Sequence, residues 1–214
     1  MPYSGVRTYR DGTILHAWRL LETSGRLLEI CQARGIDTEI HAKAESRRQE
    51  LLGERLLAWH VFGEHAMIAH NADGVPFVEG KDLHLSVAHT RGYLAIAVNP
   101  RHAMGIDVET HGRRVVKVRD FFLSSAEKAW LDADDVLGNT IAWTAKEAIF
   151  KAVGERSLVK NYRHDILTDA FATPCLGATL SHTGYFKGEN FMLETDLSEQ
   201  FLLTFACARK YINY

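Results

Sequence analysis

The sequence predicts an α+β fold in two parts, each built from helix and several short strands. Two segments have the apolar spacing of helices, and short apolar runs bounded by turn residues indicate strands. Hydrophobic residues make up 46% and charged residues 24% of the 214 residues, which is typical of a globular chain long enough for one large or two small packed domains. The residues show no repeat, so the element order alone indicates an internal duplication.

The first part, residues 1–102, is predicted to contain one long helix and three strands. Glu45–Phe62 is predicted to be a helix because four leucines between positions 51 and 57 share one face. The predicted strands are Ile14–Leu20, Leu83–Val87 and Tyr93–Val98. Asn71–Gly74 reads as a turn, and Asn99–His102 breaks the pattern and marks the boundary between the parts.

The second part, residues 103–214, is predicted to begin with a strand and to contain two helices. Ser124 and Glu127 have the spacing of a capping box, which predicts a helix start at Ser124. A second helix is predicted from Thr140 to Val153, with Gly154 ending it. The predicted strands are Met104–Glu109, Ala178–Thr183, Tyr185–Thr195 and Phe201–Ala208.

Charge and cysteine content exclude several classes of protein. The formal net charge is −2, so no overall field favours nucleic acid or an anionic membrane. The three cysteines are scattered without CxxC spacing, which argues against a disulfide framework and favours a reducing compartment. Residues 1–12 lack the apolar core of a secretory signal, and no apolar run approaches the length of about 20 residues that spans a bilayer. A cytoplasmic protein is expected.

Gly105-Ile-Asp-Val-Glu109 is an apolar strand that ends in two carboxylates. Side chains two positions apart point to the same face, so Asp107 and Glu109 lie together, while Ile106 and Val108 face the other side. Taken alone, a strand end with solvated acids is as good an interpretation as a site. Paired carboxylates are also ligands for a hard cation such as Mg²⁺, which takes further oxygens from water and phosphate.

The segment Trp143-Thr-Ala-Lys-Glu-Ala-Ile-Phe-Lys151 supplies a third acid and two lysines. On a helix, Trp143, Glu147 and Lys151 fall on nearly one face. A solvated Glu147–Lys151 pair is the simpler interpretation of the motif in isolation, but the surrounding apolar residues favour burial, where charges need partners. Three carboxylates with lysines suit phosphoryl chemistry, in which a metal and ammonium groups neutralise phosphate oxygens and a carboxylate accepts a proton.

These two motifs, in this order and at this separation, resemble the paired motifs of the 4′-phosphopantetheinyl transferase superfamily. The length resembles the longer, single-chain Sfp-type members, which implies a monomer, although the sequence itself does not set the oligomeric state. The likeness covers about residues 45–155. It includes four other segments: Arg47-Arg-Gln-Glu-Leu-Leu-Gly53, Asp73-Gly-Val-Pro76, Ser86-Val-Ala-His-Thr90 and Phe121-Phe-Leu-Ser-Ser-Ala-Glu127.

The resemblance implies a fold of two similar α/β halves related by a pseudo-twofold axis, with the active site between them. It implies an enzyme, a holo-carrier-protein synthase, that moves the phosphopantetheine arm of coenzyme A to a serine of an apo acyl or peptidyl carrier protein. Asp107, Glu109 and Glu147 would hold Mg²⁺ or Mn²⁺. Glu147 would activate the serine, directly or through water, while Lys151 would bind the coenzyme A diphosphate with help from Lys146.

In the first half, the resemblance assigns the 3′-phosphate of coenzyme A to His89 and to the adjoining Ala88 and Thr90 backbone. Arg48 would add a phosphate contact, with the alignment of the Arg47-Arg48 pair open by one position. Val75 replaces the lysine of the family's Gly-Lys-Pro turn, and Ala88 replaces a serine. Both positions would still contact coenzyme A through the backbone, so weaker binding is expected rather than lost chemistry.

A basic run formed by Arg113, Arg114, Lys117 and Arg119 follows the predicted metal strand. It is either a solvated face or a docking surface for an acidic carrier protein, which would mainly raise the association rate. No motif supports nucleic acid binding. Two other functions stay open: a catalytically silent coenzyme A or carrier-protein binder, and a different Mg²⁺-dependent phosphoryl transferase or hydrolase, for which the sequence lacks a GxxxxGK[ST] cradle.

Overall fold

The computed structural model of the protein describes residues 3–212; residues 1, 2, 213 and 214, the outer ends of the two predicted parts, lie outside the described residues. The strands are β1 Tyr3–Thr8, β2 Ile14–Arg19, β3 Ile68–His70, β4 Pro76–Val78, β5 His84–Thr90, β6 Tyr93–Asn99, β7 Met104–Thr110, β8 Ile166–Thr168, β9 Thr179–Phe186, β10 Glu189–Leu197 and β11 Phe201–Ala208. The helices are α1 Ser24–Ala33, α2 Glu45–Phe62, α3 Arg114–Phe122, α4 Ser125–Trp130, α5 Val136–Ala152 and α6 Tyr162–Asp165, with 3₁₀ turns at Arg156–Leu158 and Arg209–Tyr211.

The strands form two larger antiparallel sheets and a short hairpin. The first sheet has the order β1-β2-β6-β5, the second has the order β7-β11-β10-β9-β8, and β3 pairs with β4. Helices α1 and α2 cover the first sheet, and α5 packs on the second. The predicted mixture of helices and strands is therefore confirmed, and the structure shows that the sheets are antiparallel. The pseudo-twofold relation between the halves and the boundary at residues 102 and 103 stay predictions.

The two sheets meet along strands β5 and β7, and this seam positions the candidate site. The Ile106 backbone N–H donates to Ser86 Oγ at 3.0 Å across the seam, where both groups are buried. Farther along, Thr90 Oγ1 donates to Glu109 Oε1 at 2.9 Å. The end of the predicted metal strand thus lies beside the end of the predicted 3′-phosphate strand, as a site between the two halves requires.

Gly105 allows helix α5 to approach strand β7 unusually closely. A Cβ atom at this position would lie 1.9 Å from the Ala148 carbonyl oxygen and 2.7 Å from the Ala152 nitrogen. Both obstacles are backbone atoms of the helix, so no side-chain rotation could relieve them. Because residues 105, 107 and 109 share a face of the strand, this contact directs Asp107 and Glu109 towards the helix.

Some element boundaries differ from the sequence prediction. Helix α5 begins a turn earlier than Thr140, because Asp135 caps it by accepting the Gly138 N–H. The predicted strand Tyr185–Thr195 is wrong, since the chain turns back at Lys187 and Gly188, which have φ angles of 48° and 82°. Elements with weak patterns were not predicted: α1, α3, α6, β1, β3, β4 and β8.

Other predictions at this level are confirmed. Helix α2 spans the predicted residues, and Ser124 with Glu127 forms the predicted capping box. All three cysteines are free thiols. Among the described residues, no helix is both long and apolar enough to cross a membrane.

Candidate active site

Helix α5 and strand β7 bring the predicted acids and Lys151 together. Trp143, Glu147 and Lys151 form the partly exposed face of a helix whose other faces are buried. The Lys151 ammonium donates to Asp107 Oδ1 at 2.8 Å and to the Ile106 carbonyl at 3.0 Å. The two motifs, separated in the sequence, therefore form one cluster of charged side chains.

The other two carboxylates of this cluster are held by hydroxyl groups. Glu109 Oε1 accepts hydrogen bonds from Thr90 Oγ1 and from the Thr110 backbone N–H, both at 2.9 Å. Glu147 Oε1 accepts a hydrogen bond from the Tyr162 hydroxyl at 2.7 Å. Sequence reasoning missed Tyr162, because a single aromatic residue in a short helix after α5 carries no signal of this contact.

The electrostatics of the cluster favour an added cation. Burial raises the pKa of Asp107 to about 6, and the like charges of Glu147 and Glu109 act in the same direction, whereas Lys151 lowers it. Three carboxylates thus share one ammonium group. The excess negative charge and the all-oxygen donor set fit a divalent ion such as Mg²⁺.

The oxygens of the three carboxylates do not all lie close enough to one another to hold one ion. Among the side chains that the structure describes, Asp11, His102 and Cys207 form the one trio of potential ligands with all donor atoms within 4.8 Å of one another. Glu109 and Glu147 each use Oε1 for a hydroxyl partner, so an oxygen of each would have to move closer to Asp107 for the three carboxylates to hold one ion.

The buried trio of Asp11, His102 and Cys207 is a hydrogen-bonded junction between the halves. Asp11 Oδ2 accepts the Thr13 hydroxyl at 2.6 Å. The Asn99 amide nitrogen lies 3.4 Å from Asp11 Oδ2 and 3.3 Å from His102 Nε2. An amide that turns its N–H groups towards both residues satisfies them without a cation.

His89 lies on the other side of the seam, beside an arginine. The Arg47 guanidinium lies 3.3 Å from His89 Nε2 and donates to Glu50 at 3.0 Å, while His89 Nδ1 lies 3.5 Å from the same Glu50 oxygen. Burial lowers the pKa of His89, Glu50 raises it, and the charges of Arg47 and Lys151 lower it further. The arginine that faces His89 is Arg47, and the predicted phosphate contact of Arg48, whose alignment was open by one position, stays a prediction.

Glu109 of the acid cluster and His89 border one open region of the surface. A cleft of about 690 Å³ is lined by Glu109, Thr90, His89, Trp143 and residues of α3. A smaller cavity of about 370 Å³ adjoins it, shares His89, and includes Arg47 and His70 in its wall. An extended anionic ligand could therefore contact His89 and the acid cluster at once.

Ala88 and Val75 lie in the first half, and their predicted contacts with coenzyme A stay predictions. Ala88 is buried in the core, opposite Ala95 of β6. Val75 lies in the turn of the β3–β4 hairpin, and its backbone N–H donates to Asn71 Oδ1 at 2.9 Å. Because that N–H is already used, a backbone contact from Val75 to coenzyme A finds no support in this geometry.

Lys146 is turned away from the cleft, which corrects its predicted contact with coenzyme A. Its side chain is completely buried, and its ammonium donates to Glu127 Oε2 at 2.7 Å and to the Phe122 carbonyl at 2.6 Å. Glu127 also accepts from the Thr168 N–H at 3.0 Å and from Ser124 in the capping box. This buried pair joins α4, α5 and β8.

Helix α3 borders the cleft with its basic residues on the surface. Arg113, Arg114 and Lys117 are exposed, and Arg114 lines the cleft. Arg119 instead donates to the Asn139 side chain and the Leu131 carbonyl, and so anchors the helix. Phe121, which sequence reasoning did not select, lines the cleft with 79% of its surface exposed.

Comparison with known proteins gives the family. The sequence profile of the 4′-phosphopantetheinyl transferase superfamily matches residues 103–202, which include β7, α5 and the three carboxylates. This segment, a little under half of the chain, is therefore similar to that superfamily. The resemblance drawn from the motifs is confirmed at this level, whereas membership of the Sfp-type branch stays a prediction.

The chain also matches a curated relative. Over 117 residues, the chain is 28% identical to the 4′-phosphopantetheinyl transferase gsp of Aneurinibacillus migulanus. The alignment covers 50% of this chain and 48% of that relative, so the chain matches about half the length of the relative.

Proposed function

We propose that the protein transfers the 4′-phosphopantetheine group of coenzyme A to a serine of an apo acyl or peptidyl carrier protein. The observation that carries the proposal is the meeting of Asp107, Glu109, Glu147 and Lys151 in one charged cluster of the superfamily segment, beside a cleft that Glu109 lines. This set combines ligands for Mg²⁺, a cation for phosphate and a carboxylate that can accept a proton.

Each residue of the cluster has a separate proposed role in the reaction. Asp107, Glu109 and Glu147 would hold Mg²⁺, or Mn²⁺ in its place, and the ion would neutralise charge on the diphosphate. Lys151, whose ammonium lies 2.8 Å from Asp107, would bind a diphosphate oxygen. Glu147, oriented by Tyr162, accepts the proton of the carrier serine directly or through water.

The bond changes balance without a further reactant. The serine oxygen forms a bond to the β-phosphorus of coenzyme A, and the bond from that phosphorus to the bridging oxygen breaks. Adenosine 3′,5′-bisphosphate leaves with the electron pair, while the serine proton passes to the base. The protein supplies orientation and charge, which usually dominate catalysis of phosphoryl transfer.

His89 and Arg47 are proposed to bind the 3′-phosphate. Phosphate would favour the protonated histidine and recruit the Arg47 guanidinium 3.3 Å away. The variant His89→Ala should weaken coenzyme A binding about 10-fold or more while hardly changing the binding of dephospho-coenzyme A. Equal loss for both ligands would contradict this assignment and make His89 structural.

Helix α3 is proposed to dock the carrier protein. Its exposed Arg113, Arg114 and Lys117 suit an acidic surface, and the exposed Phe121 offers an apolar contact at the cleft. The double variant Arg114→Glu/Lys117→Glu should raise the KM for the carrier, most strongly at low salt. The KM for coenzyme A should not change, and a parallel rise in both constants would contradict docking.

The central test incubates the protein with coenzyme A, Mg²⁺ and an apo carrier protein. Mass spectrometry should show a carrier mass gain equal to one phosphopantetheine arm. Chelator should abolish the reaction, and Glu147→Gln should lower it by orders of magnitude. The variant Glu29→Gln, an exposed glutamate on α1, serves as the matched control. Binding of coenzyme A without any mass gain would favour a silent binding protein instead.

A further inference from the structure

Arg156 crosses from the second half to a turn of the first half. It follows the end of α5 in the 3₁₀ turn Arg156–Leu158, and its guanidinium lies over the Phe150 ring, 5.3 Å from the centroid. One guanidinium nitrogen lies 3.1 Å from the position that a Cβ on Gly74 would occupy. The cation therefore touches the β3–β4 turn that the family resemblance placed at the nucleotide.

The charge of Arg156 faces acids without being paired to them. Burial lowers the pKa of Arg156, while Glu147 and Asp73 raise it. Within residues 3–212 no acid lies close enough to form an ion pair with it, and its buried Nε has no hydrogen-bond partner. Lys151, by comparison, is already bonded to Asp107. Arg156 thus offers unused donors between the hairpin turn and the acid cluster.

The hairpin turn beside Arg156 provides no cation of its own. Its residues are Asn71, Ala72, Asp73, Gly74 and Val75, so the turn carries one negative charge. The Val75 N–H is used by Asn71. A diphosphate that lies between this turn and Glu147 would need a positive group from elsewhere, and Arg156 is in place to supply it.

We propose that Arg156 binds the diphosphate of coenzyme A. Its planar guanidinium group can donate two parallel hydrogen bonds to two phosphate oxygens. The inference rests on the proposed function and adds a substrate-binding residue to it. Its position against the Gly74 turn and over Phe150, three residues after Glu147 on α5, assigns Arg156 to the diphosphate, whereas His89 and Arg47 take the 3′-phosphate. The two phosphate sites therefore make separable predictions.

The test measures, by calorimetry with Mg²⁺ present, the Kd of each variant for three ligands. They are coenzyme A, dephospho-coenzyme A, which keeps the diphosphate, and adenosine 3′-monophosphate, which lacks it. Arg156→Gln should weaken the first two about 10- to 100-fold alike and leave the third unchanged. Arg156→Lys keeps the positive charge and the aliphatic part of the side chain but loses the planar guanidinium group. Its Kd values for the first two ligands should lie between those of the wild type and those of Arg156→Gln. Lys160→Gln, an exposed charge in the same loop, should match the wild type.

The outcomes separate this inference from the function on which it rests. Unchanged Kd values in folded Arg156→Gln, or loss confined to coenzyme A, would overturn the diphosphate assignment while leaving the proposed transferase intact. Equal weakening of all three ligands would also overturn it, because it would indicate a general structural effect. A wild-type protein that binds neither coenzyme A nor dephospho-coenzyme A would refute the proposed function, and this inference with it.

Discussion

The buried pair of Lys146 and Glu127 gives the sharpest test of the fold around the site. Lys146 is completely buried, and Glu127 is its direct partner at 2.7 Å with a side chain only 3% exposed. Replacing Lys146 with Met keeps the length of the side chain but leaves the buried carboxylate of Glu127 without its cationic partner. Breaking such a pair from one side costs about 3–5 kcal/mol, so Lys146→Met should lower the free energy of unfolding by this amount.

A thermodynamic cycle isolates the pair. Glu127→Gln keeps the capping-box geometry, since Gln also serves there, and the double variant Glu127→Gln/Lys146→Met should recover about 2 kcal/mol relative to the sum of the single losses. Lys128→Met, which removes a partly exposed lysine paired with the exposed Asp120, is the control and should cost less than about 1 kcal/mol.

The assay is urea unfolding followed by tryptophan fluorescence, together with the KM for coenzyme A under conditions where each variant is folded. The expected pattern is a large loss of stability with an unchanged KM. The opposite pattern, with a stability loss under about 1 kcal/mol and a strongly raised KM, would refute the structural role. It would instead support the predicted contact of Lys146 with coenzyme A.

Three further predictions concern the acid cluster and its support. Gly105→Ala should destabilise the protein by about 3 kcal/mol or more in urea unfolding, because its Cβ meets helix backbone; Gly112→Ala, which has open space, should be nearly neutral. Tyr162→Phe should lower the transfer rate about 10-fold, because Glu147 loses the hydroxyl group that holds its side chain in place; a rate equal to that of the wild type would contradict this. Mg²⁺ affinity, measured by calorimetry, should fall as the pH drops through about 6, because a proton then competes for the carboxylate of Asp107; equal affinity at pH 5 and 7.5 would contradict it.

The same pKa has a consequence for the metal-free protein. The folded-state pKa of Asp107 is raised to about 6 from its ordinary 3.8, so folding favours the protonated form. The contribution of this group to stability is therefore greatest at low pH and declines as the pH rises between these two values. Burial of this carboxylate opposes folding at neutral pH, and a bound cation would offset the cost.

Patterns local in the sequence determined much of the fold. The spacing of four leucines predicted α2, and Ser124 with Glu127 predicted the start of α4. The strand alternation of Asp107 and Glu109 placed both on one face, and their meeting with α5 followed from the family motifs. These predictions held because periodicity and capping depend on residues within a few positions of one another. The metal-binding role of the acids stays a prediction.

The tertiary structure decided which partner each charged side chain contacts. Lys146 and Lys151 lie five positions apart on one helix, yet Lys146 is buried and pairs with Glu127, whereas Lys151 pairs with Asp107. Likewise, Arg47 and not Arg48 meets His89, and Arg156 reaches a turn some 80 positions earlier in the chain. Helical spacing fixes the angle between side chains, but what each one contacts depends on elements that pack against the helix from distant parts of the sequence.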